Sequence, residues 1–283
     1  MGGAKFAFED VYLSEDKTYL YFGNGQVELR LSKTNGCLVM LLDKVNKAAL
    51  VSNDEEESTE SILVGGRSQH RPRQPYYVVV DTSTVSPSEY LGHSVEVVRD
   101  KEGYRVKLIV CSKAGAWLFH SIYAIRPHET LIERRLRIIY FGSSPQLLRG
   151  VQLFLPRVRV DDPEECCFEA PGLQIKSHYP LTHLPRGARL AQIFDPLMKT
   201  DVIYAGAAPT WFPGIMAIHN PKRGFGLMWW AYSSVEPFLT YLNIDSAKNV
   251  TVLHHLMIAD RFKEGHTISC GSQFIRVFRE GWR

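Results

Sequence analysis

The sequence predicts an all-β protein, a large antiparallel β-sandwich of two stacked sheets. Three observations lead there. Apolar residues recur with period two in segment after segment, short clusters of Gly, Asn, Asp and Pro separate those segments, and no run of ten or more residues carries the i, i+3, i+4, i+7 stripe of an amphipathic helix. Strongly twisted open sheets rarely exceed about ten strands, so this many strands in one chain call for two layers around one core.

Taken in order, the first clear signal is VELRLSKTNGCLVMLLDKVNKAALV, Val27 to Val51. Val27, Leu29 and Leu31 fall on one face with Glu28 and Arg30 on the other, a Thr-Asn-Gly turn follows, and two further apolar segments flank a polar turn. YRVKLIV repeats the pattern with Tyr104, Val106, Leu108 and Val110 on one side. TLIERRLRII sets Ile132, Leu136 and Ile138 against a densely charged face of Glu133, Arg135 and Arg137, which is either the water side of an outer sheet or the floor of a groove. SVEVVRD, VQLFLPRVRV, GLMWWAY, NVTVLHHLMIA and SQFIRVFRE continue the series, with breakers such as DKEG, RPHET, DDPEE, NPKRGFG and KEGHT between strands. SSPQLLRG is the best candidate for a helical turn. Two stretches, 52–75 and 170–196, read as long irregular loops, and loops beyond about 12–15 residues in a compact domain tend to be functional or disordered. Both are the first suspects for a site.

Composition excludes several classes. The chain of 283 residues is 45% hydrophobic, enough to bury a core without staples, and 33 basic against 30 acidic residues leave a net charge of only +3. That balance argues against nucleic acid as a partner. No eighteen apolar residues run together and no basic-apolar leader opens the chain, so no membrane partner is expected. Five cysteines, odd in number and without CxxC spacing, fit a reducing compartment and favour a cytoplasmic location. No GxGxxG, GxxxxGK[ST] or GxSxG motif is present, so neither a phosphate cradle nor a nucleophile elbow is expected, and no cofactor.

The order of signals resembles the galactose mutarotase-like supersandwich domain that precedes the catalytic barrel in several glycoside hydrolase families. The opening strands NGQVELRLSKTNGCLVMLLDKVNKAALV, the late pair APTWFPGIMAIHNPKRGFGLMWW around its Gly-rich hairpin, and the closing LMIADRFKEGHTISCGSQFIRVFREGW carry the likeness. It implies a single domain over residues 1–283, the N-terminal part of a longer glycoside hydrolase, with carbohydrate and a downstream (β/α)8 barrel as partners and with the catalytic carboxylates on that barrel. Stand-alone aldose 1-epimerases share the fold and use a histidine and a glutamate. No histidine of this chain aligns with their motifs, so the resemblance carries no catalytic residue across. An epimerase or mutarotase working in a concave groove, or a free carbohydrate-binding module, remain the alternatives.

Sugar recognition needs flat apolar faces for the C–H side of a ring and paired hydrogen-bonding groups for its hydroxyls. Trp229 and Trp230 are strand neighbours and point to opposite faces, so at most one belongs to the core. The other is a candidate platform, although packing under a loop is the commoner fate. Trp211, in the proline-flanked PTWFPG, reads first as a loop anchor. Arg71 and Arg73 offer guanidinium forks, with ion pairing to the acidic run 54–57 as the plainer reading. His178 and His183 share the second long stretch and are candidate polar contacts or acid and base. His254 and His255, adjacent on a strand, cannot both reach one metal, and no metal site is expected.

Overall fold

The computed structural model describes residues 5–70, 77–169, 178–180, 205–206, 215–233 and 238–279. Among them every regular element is a β-strand except one 3-10 turn at Pro163–Glu165, within the predicted DDPEE breaker. Pro163 sits at its first turn and Asp162 caps it, its carboxylate accepting from Glu164 N at 3.1 Å.

The first six strands make an N-terminal meander: β1 (Phe6–Phe8), β2 (Val11–Glu15), β3 (Tyr19–Gly23), β4 (Val27–Ser32), β5 (Leu38–Asp43) and β6 (Ala48–Ser52), each paired with the next. The three segments read from Val27–Val51 are β4, β5 and β6. Then come β7 (Glu60–His70), β8 (Tyr77–Val85), β9 (Glu89–Asp100), β10 (Gly103–Ala114), β11 (Trp117–Ile125), β12 (Leu131–Tyr140) and β13 (Gln146–Val158). The remainder are β14 (Cys167–Glu169), β15 (His178–Pro180), β16 (Ala205–Gly206), β17 (Met216–Asn220), β18 (Phe225–Tyr232), β19 (Phe238–Ile244), β20 (Val250–Phe262) and β21 (Thr267–Arg279). A nine-stranded sheet runs β15-β14-β17-β18-β21-β12-β11-β10-β9, and a six-stranded one runs β16-β19-β20-β13-β7-β8.

These two sheets form the expected sandwich, and the N-terminal sheet joins the same core. Val11, Leu20, Phe22, Leu29 and Leu41 share one buried cluster with Val106, Leu108 and Val110 of β10, Ile132 of β12 and Val277 of β21. Each such side chain contributes roughly 1.5–3 kcal/mol by leaving water. At the end of β21, Arg279 donates to Asp43 of β5 at 2.5 Å and to Gln26, tying the last described strand to the N-terminal sheet.

Two expectations are corrected. SSPQLLRG is not a helical turn, because Gln146 opens β13, whose Leu148 and Val151 are fully buried in pairing with β7 and β20. The stretch 52–75 is not a continuous loop either. Glu60–His70 is β7, paired with β8 and β13, and Gly65 and Gly66 at positive φ (71° and 74°) break the alternation that would have marked it. The acidic run pairs with Arg157, which reaches Asp54 at 2.9 Å and Glu55 at 3.1 Å.

The core also holds a charged latch. Arg134, fully buried on the apolar face of β12, crosses from the nine-stranded to the six-stranded sheet, donating to Glu60 at 2.8 Å, Thr59 O at 2.9 Å, Phe154 O at 2.9 Å and Gln273 at 3.2 Å. Ser121 of β11 donates to the second oxygen of Glu60, and Gln273 of β21 bonds His254 of β20 at 2.9 Å. No described helix is long and apolar enough to cross a membrane.

Candidate functional site

The outer face of the nine-stranded sheet gathers the groups that sugar recognition needs. Because directly paired residues share a face, the register places Glu96, Lys107, Ala124, Glu133, Phe274 and Trp230 in one row across β9, β10, β11, β12, β21 and β18. The next row is Ser94, Ile109, Ile122, Arg135, Ser272 and Tyr232. Over β9–β12 the face forms a hollow of about 350 Å³, lined by Glu133, Arg135 and Arg137 together with Glu96, Asp100, Arg105 and Lys107. The charged face of TLIERRLRII is therefore the floor of a groove.

That floor is braced by its own ion pairs. Glu133, nearly buried, accepts from Ser272 Oγ at 2.6 Å, from Arg135 Nε at 2.6 Å and from Arg105. Burial pushes its pKa up, but the Ser272 and Arg135 donors and the two guanidinium charges outweigh burial and hold the carboxyl below its usual range. Asp100 accepts from Arg126 at 2.6 Å and Arg105 at 3.0 Å, and the Arg126 bond brings its pKa down to about 2. Both acids are ionised at neutral pH and saturated with donors. They position guanidinium groups and are unsuited to deliver a proton.

Beside this lattice lies the aromatic part. Trp230 stacks on Phe274 with centroids 5.1 Å apart and planes 14° from parallel, and Tyr232 on the same face is 57% exposed. Trp229 points the other way into the core, fully buried against Phe168. The two tryptophans thus divide as strand geometry requires, with Trp230 on the groove side.

Farther along the same face is a feature the sequence reading missed. His219 of β17 and Glu169 of β14 meet at 2.9 Å, both nearly buried. They lie some fifty positions apart in the chain (|i−j| = 50), and only the β14–β17 register, Cys167 opposite His219, brings them together. Gly226 on β18 makes room for His219 and the Phe278 ring. A Cβ there would stand 2.5 Å from Ile218 O and 2.6 Å from His219 Cβ and from the Phe278 ring. Gly226→Ala is expected to cost about 1–3 kcal/mol by forced displacement, measured as a lowered urea midpoint.

Of the other candidates, Trp211, Arg71, Arg73 and His183 lie outside the described residues. His178 opens β15, its backbone paired with Glu169. His254 and His255 face opposite ways, His254 into the latch. Among the described residues no cluster of three or more His, Cys, Asp or Glu is arranged to hold a metal. The five cysteines are free thiols, and burial drives those of Cys37, Cys166 and Cys270 up to about 12, so they stay protonated.

No protein-family model matches the chain, and no curated protein matches it in sequence. Solved structures do match in fold. A GH36 alpha-galactosidase from Geobacillus stearothermophilus aligns over 95% of this chain and 41% of its own, at TM-score 0.60 and 11% identity. A variant of another GH36 alpha-galactosidase from the same organism, in complex with raffinose, aligns over 93% and 41%, at TM-score 0.59 and 12% identity. A galactose mutarotase-like protein from Clostridium acetobutylicum aligns over 97% of this chain and 100% of its own, at TM-score 0.60 and 9% identity. The chain spans about two fifths of the length of the alpha-galactosidases and the whole of the mutarotase-like protein. Identities this low speak to architecture alone, and the architecture is the galactose mutarotase-like β-sandwich.

Proposed function

We propose that this chain is a carbohydrate-associated domain of a larger glycoside hydrolase, one that shapes or supports the active site of a following catalytic barrel and holds saccharide on the outer face of its nine-stranded sheet. The observation that carries the reading is the row from Glu133 through Phe274 to Trp230. It sets a stacked ring pair beside guanidinium groups fixed by saturated carboxylates, a combination made for binding rather than proton transfer. The likeness to a two-fifths portion of alpha-galactosidase chains supports the modular part of the reading. Domain extent over residues 1–283 belongs to the same proposal, and the coding sequence beyond Arg283 tests it: alternating β and α segments would support a barrel, and their absence would count against one.

Binding is tested by following tryptophan fluorescence while neutral oligosaccharides are added. Trp230→Ala is expected to weaken affinity about tenfold, equivalent to about 1.4 kcal/mol. A spectrum indifferent to a broad glycan panel would defeat the platform.

The buried His219–Glu169 pair favours a second reading, a self-contained epimerase or mutarotase acting through that histidine and carboxylate. Polarimetry of several aldoses is the test. Measurable anomer interconversion that falls at least about a hundredfold in Glu169→Gln and His219→Ala would favour it over the modular domain, and interconversion equal in all three proteins would end it.

A further inference from the structure

The sandwich has a second outer face, and it too is hollowed. On β13, Val151, Leu153 and Leu155 enter the core, so Gln152 and Phe154 stand on the outside of the six-stranded sheet, where a depression of about 450 Å³ opens over β7, β8, β13 and the start of β20. Phe154 gives the floor an apolar face. Ser61 donates to Gln152 Oε1 at 2.7 Å, which occupies the amide oxygen of this lining residue and leaves its NH₂ group, with two donors, as the part of the amide available to a ligand. Thr84 and Ser86 add hydroxyls, and Glu57 a carboxylate that makes no side-chain hydrogen bond or ion pair among the described residues.

The wall is held in place by an unusual backbone. β13 slips register against β20 between Leu155 and Val158, and Arg157 within the bulge adopts φ 43°, a left-handed conformation that a non-glycine residue rarely takes. The bulge sends the guanidinium to Asp54 and Glu55, anchoring the 54–57 segment that carries Glu57 at the rim. Among the described residues, the only cation lining the hollow is thus neutralised by partners of its own. What is left free is a ring, an amide NH₂, hydroxyls and one carboxylate, which suits a ligand that is uncharged, rich in hydroxyl groups and apolar on one side.

We infer that this hollow is a second saccharide site for neutral sugars, set on the outer face opposite the one that carries the groove and, beside it, Trp230. A hexose would lay its C–H face on Phe154, donate hydroxyls to Glu57 and accept from the Gln152 amide. Only the ligand class is shared with the proposed function, and the two sites fail or stand separately.

The test is ¹H–¹⁵N NMR of the full chain, with the Gln152 side-chain amide assigned through Gln152→Leu, titrated with raffinose and a panel of neutral tri- and tetrasaccharides. The amide signal is expected to move in the wild type and equally in Trp230→Ala. Phe154→Ala should weaken that response about tenfold, and so should Thr84→Arg, which fills the hollow from the exposed edge strand without touching the core. An amide signal unmoved by the whole panel, or moving alike in both hollow variants, overturns the second site. A silent Gln152 with Trp230 fluorescence still responding rejects this site and leaves the groove reading intact. A responding Gln152 with silent Trp230 does the reverse.

Discussion

Arg134→Met is expected to destabilise the fold by about 3–5 kcal/mol, the cost of leaving one half of a buried ion pair unopposed. Arg134 is fully buried, and its guanidinium serves Glu60, the Thr59 and Phe154 carbonyls and Gln273 at once while lying 5.6 Å from the Tyr123 ring. Methionine fills a similar volume but donates nothing. Among the described residues the Glu60 carboxylate would keep only Ser121, and the Phe154 carbonyl would lose the Arg134 donor, while Thr59 O would still accept from Phe154 N. Urea denaturation measures the loss. Adding Glu60→Gln should recover a large part of it, because a neutral amide removes the uncompensated charge. A single-variant loss below about 1 kcal/mol would show that water or rearrangement satisfies Glu60 and that no latch joins the two sheets.

Stability is also expected to fall steeply as pH drops from about 6.5 towards 4, through His254 and His255. The latch fixes the protonation of His254. Arg134 can only donate, so the Gln273 oxygen must face it, the Gln273 NH₂ must face His254, and Nδ1 of that ring must accept. Burial, reinforced by the Arg134 charge, lowers the pKa of His254 to about 3, and burial lowers that of His255 to about 4. In the unfolded chain both protonate near pH 6.5. Between these limits the unfolded state therefore holds up to two more protons than the folded state. Stability is fully present above pH 6.5 and is lost on acidification, at up to roughly 1.4 kcal/mol per pH unit for each histidine. Asp43, whose pKa the Arg279 and Asn46 hydrogen bonds depress despite its burial, adds to the loss only below about pH 4. Denaturation curves at pH 7, 6 and 5 for wild type and His254→Gln test this. The variant should lose about one proton's worth of slope. An unchanged slope would mean that His254 is already charged in the folded protein.

Both predictions turn on residues whose importance the sequence did not disclose. Arg134 stands in the apolar register of TLIERRLRII, with Ile132 and Leu136 on either side, yet an arginine there reads as one more member of a charged run. Its partners come from other strands: Glu60 is 74 positions away and Gln273 is 139. The His219–Glu169 pair was hidden for the same reason. Trp230 was legible by half, since adjacency on a strand required one tryptophan of the pair to face outward. It took the β18–β21 register to set it on Phe274 and in line with Glu133.

Except for β7, the start of β13 and the buried Arg134, which escaped it, the sequence by itself determined the all-β class, most of the long strands and the turns between them, and on those strands the division of most residues between apolar and polar faces. Those follow from the two-residue period of the pleat, which acts within a few positions of chain. Tertiary structure alone decided which polar face became a groove, which charges were buried, and which acids were saturated by donors. Each of these depends on cross-strand register between segments distant in the chain, and a shift of one residue would turn every one of those side chains to the opposite face.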